Sequence, residues 1–264
     1  MSAAAGAAAQ DFGSPADTLR YPYVAALSRS SDDNRVYFCA GALVAPQWIL
    51  TAAHCFHNPR GERITEESLW AEVGASRLSD APEAAQVRIE RIFVHPGYVP
   101  ESQANDIALV RLERIAGPLI VDVANPVEAR PIVGPLRATV LGFGSFYEGR
   151  LAATATLGSG APAAQVSDRL RQAIVEPVAT ADCETRLGAA APAIDASRLC
   201  FGAGRGETCV GDSGGPLLAD RGGGRDWLIG VASFGTGCAV EAPVTVYTLV
   251  SAYSSWIAAT ISGR

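Results

Sequence analysis

The 264-residue sequence contains no lysine, and all 21 of its basic residues are arginine. Genome base composition explains that bias more simply than function does. With 27 acidic residues the formal net charge is −6, which argues against a nucleic-acid or anionic-membrane partner. No apolar run approaches the length of a membrane span, so no transmembrane segment is predicted. No C-x-x-C pair occurs, which disfavours a zinc cluster. Histidine is scarce too. Only His54, His57 and His95 are available to any histidine-dependent chemistry.

What is present describes a globular protein. Apolar residues make up 48% and charged residues 18%, a balance unlike that of disordered chains. The length suffices for one large domain or two closely packed halves. Six cysteines, an even number, suit three disulfides in an oxidising compartment, hence a secreted or periplasmic location. Met1 to Gln10 reads MSAAAGAAAQ, with the small-residue end of a signal peptide but neither a charged start nor an apolar middle. Residues 1–13 are therefore read as an Ala-rich leader, either a signal remnant or a disordered stretch.

From Tyr21 the text turns to short apolar runs between turn residues: Tyr23–Leu27, Gly41–Val44, Trp48–Leu50, Gln86–Val94 and Ile107–Leu112. In Gln86–Val94, Val87, Ile89 and Phe93 stand against Arg88, Glu90 and Arg91, an imperfect strand alternation. Ala116 to Pro135, with little periodicity, reads as a connector. Further strands are expected at Ala138–Phe143, Leu170–Val178, Leu217–Leu218, Trp227–Ser233 and Val244–Leu249. A Gly/Ala/Ser-rich loop from about Ser145 to Ser167 is expected to be exposed. Helical spacing occurs only at the end, where Val250, Tyr253, Trp256, Ile257 and Thr260 share a face. The pattern is that of an all-β sandwich or barrel.

Glu207–Pro216 reads ETCVGDSGGP and places Ser213 in a glycine-rich loop. A serine hydroxyl is a weak nucleophile and needs a base and an orienting carboxylate. Gly211–Gly215 also fits the G-x-S-x-G elbow of α/β-hydrolases, but that fold places its histidine after the serine. Every histidine here precedes Ser213, so the elbow reading fails on chain order. His54, in Thr51-Ala-Ala-His-Cys55, follows a strand directly. Asp106, in Asn105-Asp-Ile-Ala-Leu109, enters another. A buried aspartate there would accept the ring N–H of His54 and fix its tautomer. The order His54, Asp106, Ser213 is that of the chymotrypsin arrangement.

The chain resembles the trypsin/chymotrypsin-like serine proteases. The resemblance rests on WILTAAHC (48–55), NDIALVRL (105–112), GDSGGP (211–216), VASFGTGC (231–238) and VYTLVSAYSSWI (246–257), all in family order. It implies two packed six-stranded antiparallel β-barrels with a C-terminal helix. A peptidase domain would cover 14–264: a first barrel over about 21–115, a connector over about 116–135, a second barrel over about 136–249, and the helix over about 250–262. It also implies the disulfides Cys39–Cys55, Cys183–Cys200 and Cys209–Cys238.

By the same resemblance Ser213 attacks the scissile carbonyl, His54 is base then acid, and Asp106 orients His54. Gly211 and Ser213 N–H groups form the oxyanion hole. Glu207, Thr208, Ser233, Phe234, Gly235 and Thr245 line the substrate, with Ser233–Gly235 pairing to it as an antiparallel strand. No cofactor or metal is expected: His54 and His57 alone lack further ligands, and His95 sits at a structural surface turn. A protein or peptide substrate and a protein inhibitor are the expected partners of a monomer.

Two departures qualify this. At the pocket base Glu207 replaces the family's usual aspartate, and Thr245 stands where glycine is usual. A basic residue before the scissile bond is the first expectation, a small apolar one the second. The activation motif Ile-Val-Gly-Gly is also missing; the corresponding text is Gln10-Asp-Phe-Gly13, with no basic residue before it. Asp212, which would pair with the new terminus, has no obvious partner. Cleavage after Ala9 would supply Gln10; otherwise another group neutralises Asp212, or the protein is a protease-fold binding protein with weak or no turnover.

Overall fold

The computed structural model describes residues 14–31, 34–58, 61–117, 119–124, 137–146, 165–203, 213–222, 225–237 and 242–263. The leader expected over residues 1–13 lies outside them. After a two-residue strand β1 (Ser14–Pro15), six strands build the first barrel: β2 (Val24–Ser31), β3 (Asn34–Ala45), β4 (Trp48–Thr51), β5 (Leu69–Val73), β6 (Gln86–Val94) and β7 (Ala108–Leu112). They run in the order β2-β3-β4-β7-β6-β5, all antiparallel, and β5 closes on β2. Closure removes exposed sheet edges.

Strand β6 has the expected limits, and its irregular alternation has a physical cause. A register shift between Ile89 and Arg91 turns Ile92 inward, so Val87, Ile89 and Ile92 are buried while Arg88, Glu90 and Arg91 are exposed. Phe93, expected inside, is only partly buried and packs against Trp48 at 5.3 Å.

The expected connector is stitched to both barrels where it is described. Val121 N–H donates to Leu43 O at 3.0 Å and Ala124 N–H to Leu228 O at 3.2 Å. Between them β8 (Asp122–Val123) runs parallel to a strand of the second barrel. That barrel comprises β9 (Ala138–Gly142), β12 (Arg171–Pro177), β13 (Arg198–Ala203), β14 (Pro216–Gly222), β15 (Arg225–Gly235) and β16 (Val244–Leu249). The ring β9-β12-β13-β16-β15-β14 closes back on β9. Two closed six-stranded antiparallel barrels are thus present, as the resemblance implies. The ends of the Gly/Ala/Ser-rich loop pair as β10 (Ser145–Phe146) and β11 (Gln165–Val166); residues 147–164 between them lie outside the described residues.

Two helices are present among the described residues. α1 (Thr180–Leu187) was not expected, because eight residues that bury only Cys183 leave no apolar periodicity to read. The terminal segment is a 3₁₀ turn, Val250–Tyr253, leading into α2 (Ser254–Ser262). Its apolar face does not pack on its own barrel alone: Val250, Tyr253 and Ile257 join the core that contains Leu50, Ile107 and Leu109 of the first barrel. At the opposite end of the chain, the Arg20 guanidinium and Tyr23 hydroxyl (2.6 Å) both donate to Asp226 in β15. The two barrels are therefore clasped by both ends of the described chain.

Disulfides Cys39–Cys55 and Cys183–Cys200 are formed. The third expected pair, Cys209–Cys238, lies outside the described residues. Cys183–Cys200 joins α1 to β13 across 17 residues, a loop for which chain-entropy arguments give about 3 kcal/mol. The double substitution Cys183→Ser with Cys200→Ser should lower unfolding stability by about that amount in denaturant titrations. A loss under about 0.5 kcal/mol would contradict the role assigned to this link.

Candidate active site

Asp106 is the most enclosed charged group of the described residues, with no exposed surface. Burying an ion unpaired is prohibitively costly, so its partners define the site. His54 N–H donates to Oδ1 at 2.9 Å, the His54 ring Nδ1 lies 2.7 Å from Oδ2, and the Ser233 hydroxyl also donates to Oδ2. Thr248 Oγ1 donates to the Asp106 carbonyl at 2.8 Å. His54 belongs to the first barrel, in the 3₁₀ turn Ala53–Phe56 that follows β4. Ser233 and Thr248 belong to β15 and β16 of the second. The carboxylate is thus shared across the seam between barrels.

The segment entering Asp106 is held in an unusual conformation. Gln103 (φ 48°) and Asn105 (φ 54°) both occupy the left-handed region, which asparagine tolerates better than most residues. Asn105 Nδ2 donates to Gly97 O at 2.6 Å, and Asn105 Oδ1 accepts from Tyr253 OH at 3.0 Å. The His95 ring packs edge-on against Tyr253 and Trp256, each at 5.1 Å. The C-terminal helix therefore braces the loop that delivers Asp106, and His95 serves packing as expected.

The charge balance follows from burial and pairing. Burial alone would lower the His54 pKa, yet the charge and hydrogen bond of Asp106 outweigh it and raise it above the ordinary imidazole value. Burial would raise the Asp106 pKa, but His54, first by charge and then by hydrogen bonding, and Ser233 after it, hold it below the ordinary carboxylate range. With the carboxylate accepting from Nδ1–H, the neutral ring carries its lone pair on Nε2. The His54 side chain keeps 22% of its surface exposed, so the ring is not sealed from solvent.

Ser213 is fixed through its backbone. Ala40 N–H of β3 donates to Ser213 O at 2.8 Å, and the next residue donates from Gly214 N–H to Ala232 O at 2.9 Å. One barrel holds the serine's carbonyl and the other holds its neighbour's amide. Gly214 (φ 77°) is obligatory: a Cβ there would sit 2.5 Å from Ala40 O and collide with Thr51 Oγ1. Cys39–Cys55 ties the strand that anchors Ser213 to the turn that carries His54.

Ser233, bonded to Asp106, begins the stretch Ser233–Gly235. β15 pairs with β14 as far as Pro216↔Val231, and then only β16 remains beside it, through Phe234↔Val246 and Gly235↔Thr245. The opposite edge of Ser233–Gly235 has no strand partner among the described residues. Gly235 is tightly placed, since a Cβ would collide with Val244 O and lie 3.2 Å from Thr245 Oγ1. Thr245 accordingly stands against this edge. Glu207, Thr208, Gly211 and Asp212 lie outside the described residues.

Sequence reasoning assigned Ser233 only to a substrate strand and missed its hydroxyl bond to Asp106. It also missed the bonds of Thr248 and Tyr253 to Asp106 and Asn105, which no local pattern signals. The sulfurs of Cys39 and Cys55 cluster with the His54 ring within 4.8 Å, but they are joined as a disulfide and offer no thiolates to a metal. His57 makes no second ligand with His54; its Nδ1 faces Ala53 O at 2.9 Å and its ring lies on Tyr98 at 5.0 Å.

A two-barrel fold with a buried aspartate–histidine pair and a pinned serine at the seam describes a protease-like hydrolase, and sequence comparison specifies which. The trypsin family model matches residues 11–257. The chain belongs to the trypsin family of serine endopeptidases. It is similar to a urokinase-type plasminogen activator from Gallus gallus, 31% identical over 93% of this chain and 56% of that protein. Coagulation factor XII from Sus scrofa is 32% identical over 90% of this chain and 37% of that protein. Serine protease 56 from Homo sapiens is 34% identical over 83% and 34%. The chain spans from about a third to just over half the length of these relatives.

The His54 ring is expected to titrate above about 6.5 when followed by NMR, charged below its midpoint and neutral above it. Replacement Asp106→Asn removes the opposing charge and should lower the midpoint. An unchanged midpoint in that variant would contradict the pairing.

Proposed function

We propose that the protein is a serine endopeptidase that cleaves peptide bonds through an acyl-enzyme, with His54, Asp106 and Ser213 as its triad. The observation that carries this reading is the arrangement around Asp106: one buried carboxylate fixes the His54 tautomer while backbone bonds from both barrels pin Ser213. His54 takes the Ser213 proton as Oγ attacks the scissile carbonyl, then returns a proton to the leaving amine. Asp106 stays ionised and stabilises the imidazolium. Backbone N–H groups of Gly211 and Ser213 would receive the oxyanion; losing one such donor typically costs about a hundred- to a thousand-fold in rate.

An extended peptide would pair with the open edge of Ser233–Gly235, so that affinity comes from main-chain bonds and selectivity from side-chain pockets. Glu207 at the pocket base, with Thr208 beside it, favours a basic residue before the scissile bond, because an unpaired buried carboxylate wants a cation. Thr245, standing against Gly235, narrows that pocket and supports a small apolar residue as the second choice. Phe234 keeps an aromatic wall. The disulfides fit an oxidising, extracellular or periplasmic setting.

An organophosphonate serine probe should label the purified protein, and a Ser213→Ala variant of unchanged fold should not be labelled. Arg-ending peptide substrates should then be cleaved faster than Ala-ending ones. Absence of Ser213-dependent labelling in folded protein would overturn the enzyme reading and leave a binding protein on a protease fold, the alternative that the missing Ile-Val-Gly-Gly segment favours. The reverse peptide preference would overturn only the basic specificity.

A further inference from the structure

Arg198 opens β13, two strands away from the edge at Ser233–Gly235, yet its side chain reaches back to that edge. Its guanidinium carbon lies 5.4 Å from the centre of the Phe234 ring. Its NH2 donates to Ser102 O of the Asp106-delivering loop at 2.6 Å, and its NH1 donates to Ala193 O. Both acceptors are neutral carbonyls, so the charge is oriented without being cancelled. Among the described residues no carboxylate forms an ion pair with it. Asp195 lies near enough to feel its charge but forms no ion pair with it; Ser197 holds that carboxylate through Oδ1, by its N–H at 2.8 Å and its hydroxyl at 2.6 Å. A guanidinium carries five donors, more than two carbonyls use.

Strand geometry says which part of a bound peptide this cation would meet. A peptide pairing antiparallel with β15, with its scissile bond at Ser213, sets its last residue before that bond beside Ser233. The second residue before the bond then stands opposite Phe234. Directly opposed residues share a face and the period is two, so the second and fourth residues lie on the Phe234 face. The second is adjacent to His54. Arg198 bonds to Ser102 O and Ala193 O and not to the His54 turn, which leaves the fourth.

We propose that Arg198 is a specificity-determining residue that selects an acidic side chain at the fourth position before the scissile bond. This rests on the endopeptidase reading above and narrows its substrate class to segments with a carboxylate three residues upstream of the basic cleavage residue. Phe234 steadies the guanidinium by cation–π contact, and the N–H donors not used by the two carbonyls would bind the incoming carboxylate. The same ion pair should weaken as salt screens it.

The test compares peptides alike except for Asp, Asn or Arg at the fourth position, each with arginine before the scissile bond. Their kcat/KM values are measured with the wild-type protein and with Arg198→Gln and Arg198→Glu. Affinities of the same peptides for Ser213→Ala and for Ser213→Ala combined with Arg198→Gln are measured in parallel. The wild type should prefer Asp over Asn by about fivefold. The preference should vanish in Arg198→Gln and turn toward Arg in Arg198→Glu. If Arg198 only braces the Ser102 and Ala193 carbonyls, all peptides will fall together and the Asp:Asn ratio will persist, which overturns the proposal. If no peptide is hydrolysed, the endopeptidase reading fails, and the Asp:Asn affinity ratio in the Ser213→Ala pair still decides the role of Arg198.

Discussion

The buried charge of Asp106 is the constraint on which the rest of the structure depends. A fully enclosed carboxylate without donors would be protonated or would destabilise the fold by several kcal/mol. Here three donors reach its two oxygens: the His54 amide, the His54 ring and the Ser233 hydroxyl. Two come from the first barrel and one from the second. The stability of the seam and the orientation of the His54 ring are therefore one feature. Loosening the barrels against each other would withdraw Ser233 and Thr248 from Asp106, and with them the restraint on the imidazole.

Other elements serve that geometry from a distance. The C-terminal 3₁₀ turn and helix contribute Tyr253 and Trp256 respectively, which grip Asn105 and His95 on the loop delivering Asp106. Ser213 is placed by main-chain bonds alone, to Ala40 on one side and, through Gly214, to Ala232 on the other. A glycine is needed beside the serine because the two barrels meet there too closely for a methyl group. Among the described residues no side-chain bond holds the Ser213 hydroxyl, which suits the nucleophile proposed for it.

Much of this was legible in the sequence, for identifiable reasons. Strand limits such as Gln86–Val94 follow from alternation, because one face of each barrel strand is buried. The helical face of Val250, Tyr253 and Ile257 follows from its spacing. Chain order of His54, Asp106 and Ser213 was enough to reject one fold and favour another. What stayed hidden depends on tertiary contact. The bulge at Ile89/Arg91, the short helix Thr180–Leu187 with its single buried residue, and the bond from Thr248 to Asp106 leave no periodic trace. Arg198 was equally silent: nothing in Ser197-Arg-Leu-Cys200 indicates that its guanidinium lies over Phe234.

The central claim is that Asp106 fixes and charges His54 so that it can deprotonate Ser213. Its most direct test is the rate at which an activated ester acylates Ser213, followed by mass mapping of the adduct at neutral pH, in wild type and Asp106→Asn. The account predicts a fall of about 10⁴-fold in the variant while the folded state is retained, because the imidazole is left in the wrong tautomer. Acylation of Ser213 at the wild-type rate in folded Asp106→Asn protein would contradict it.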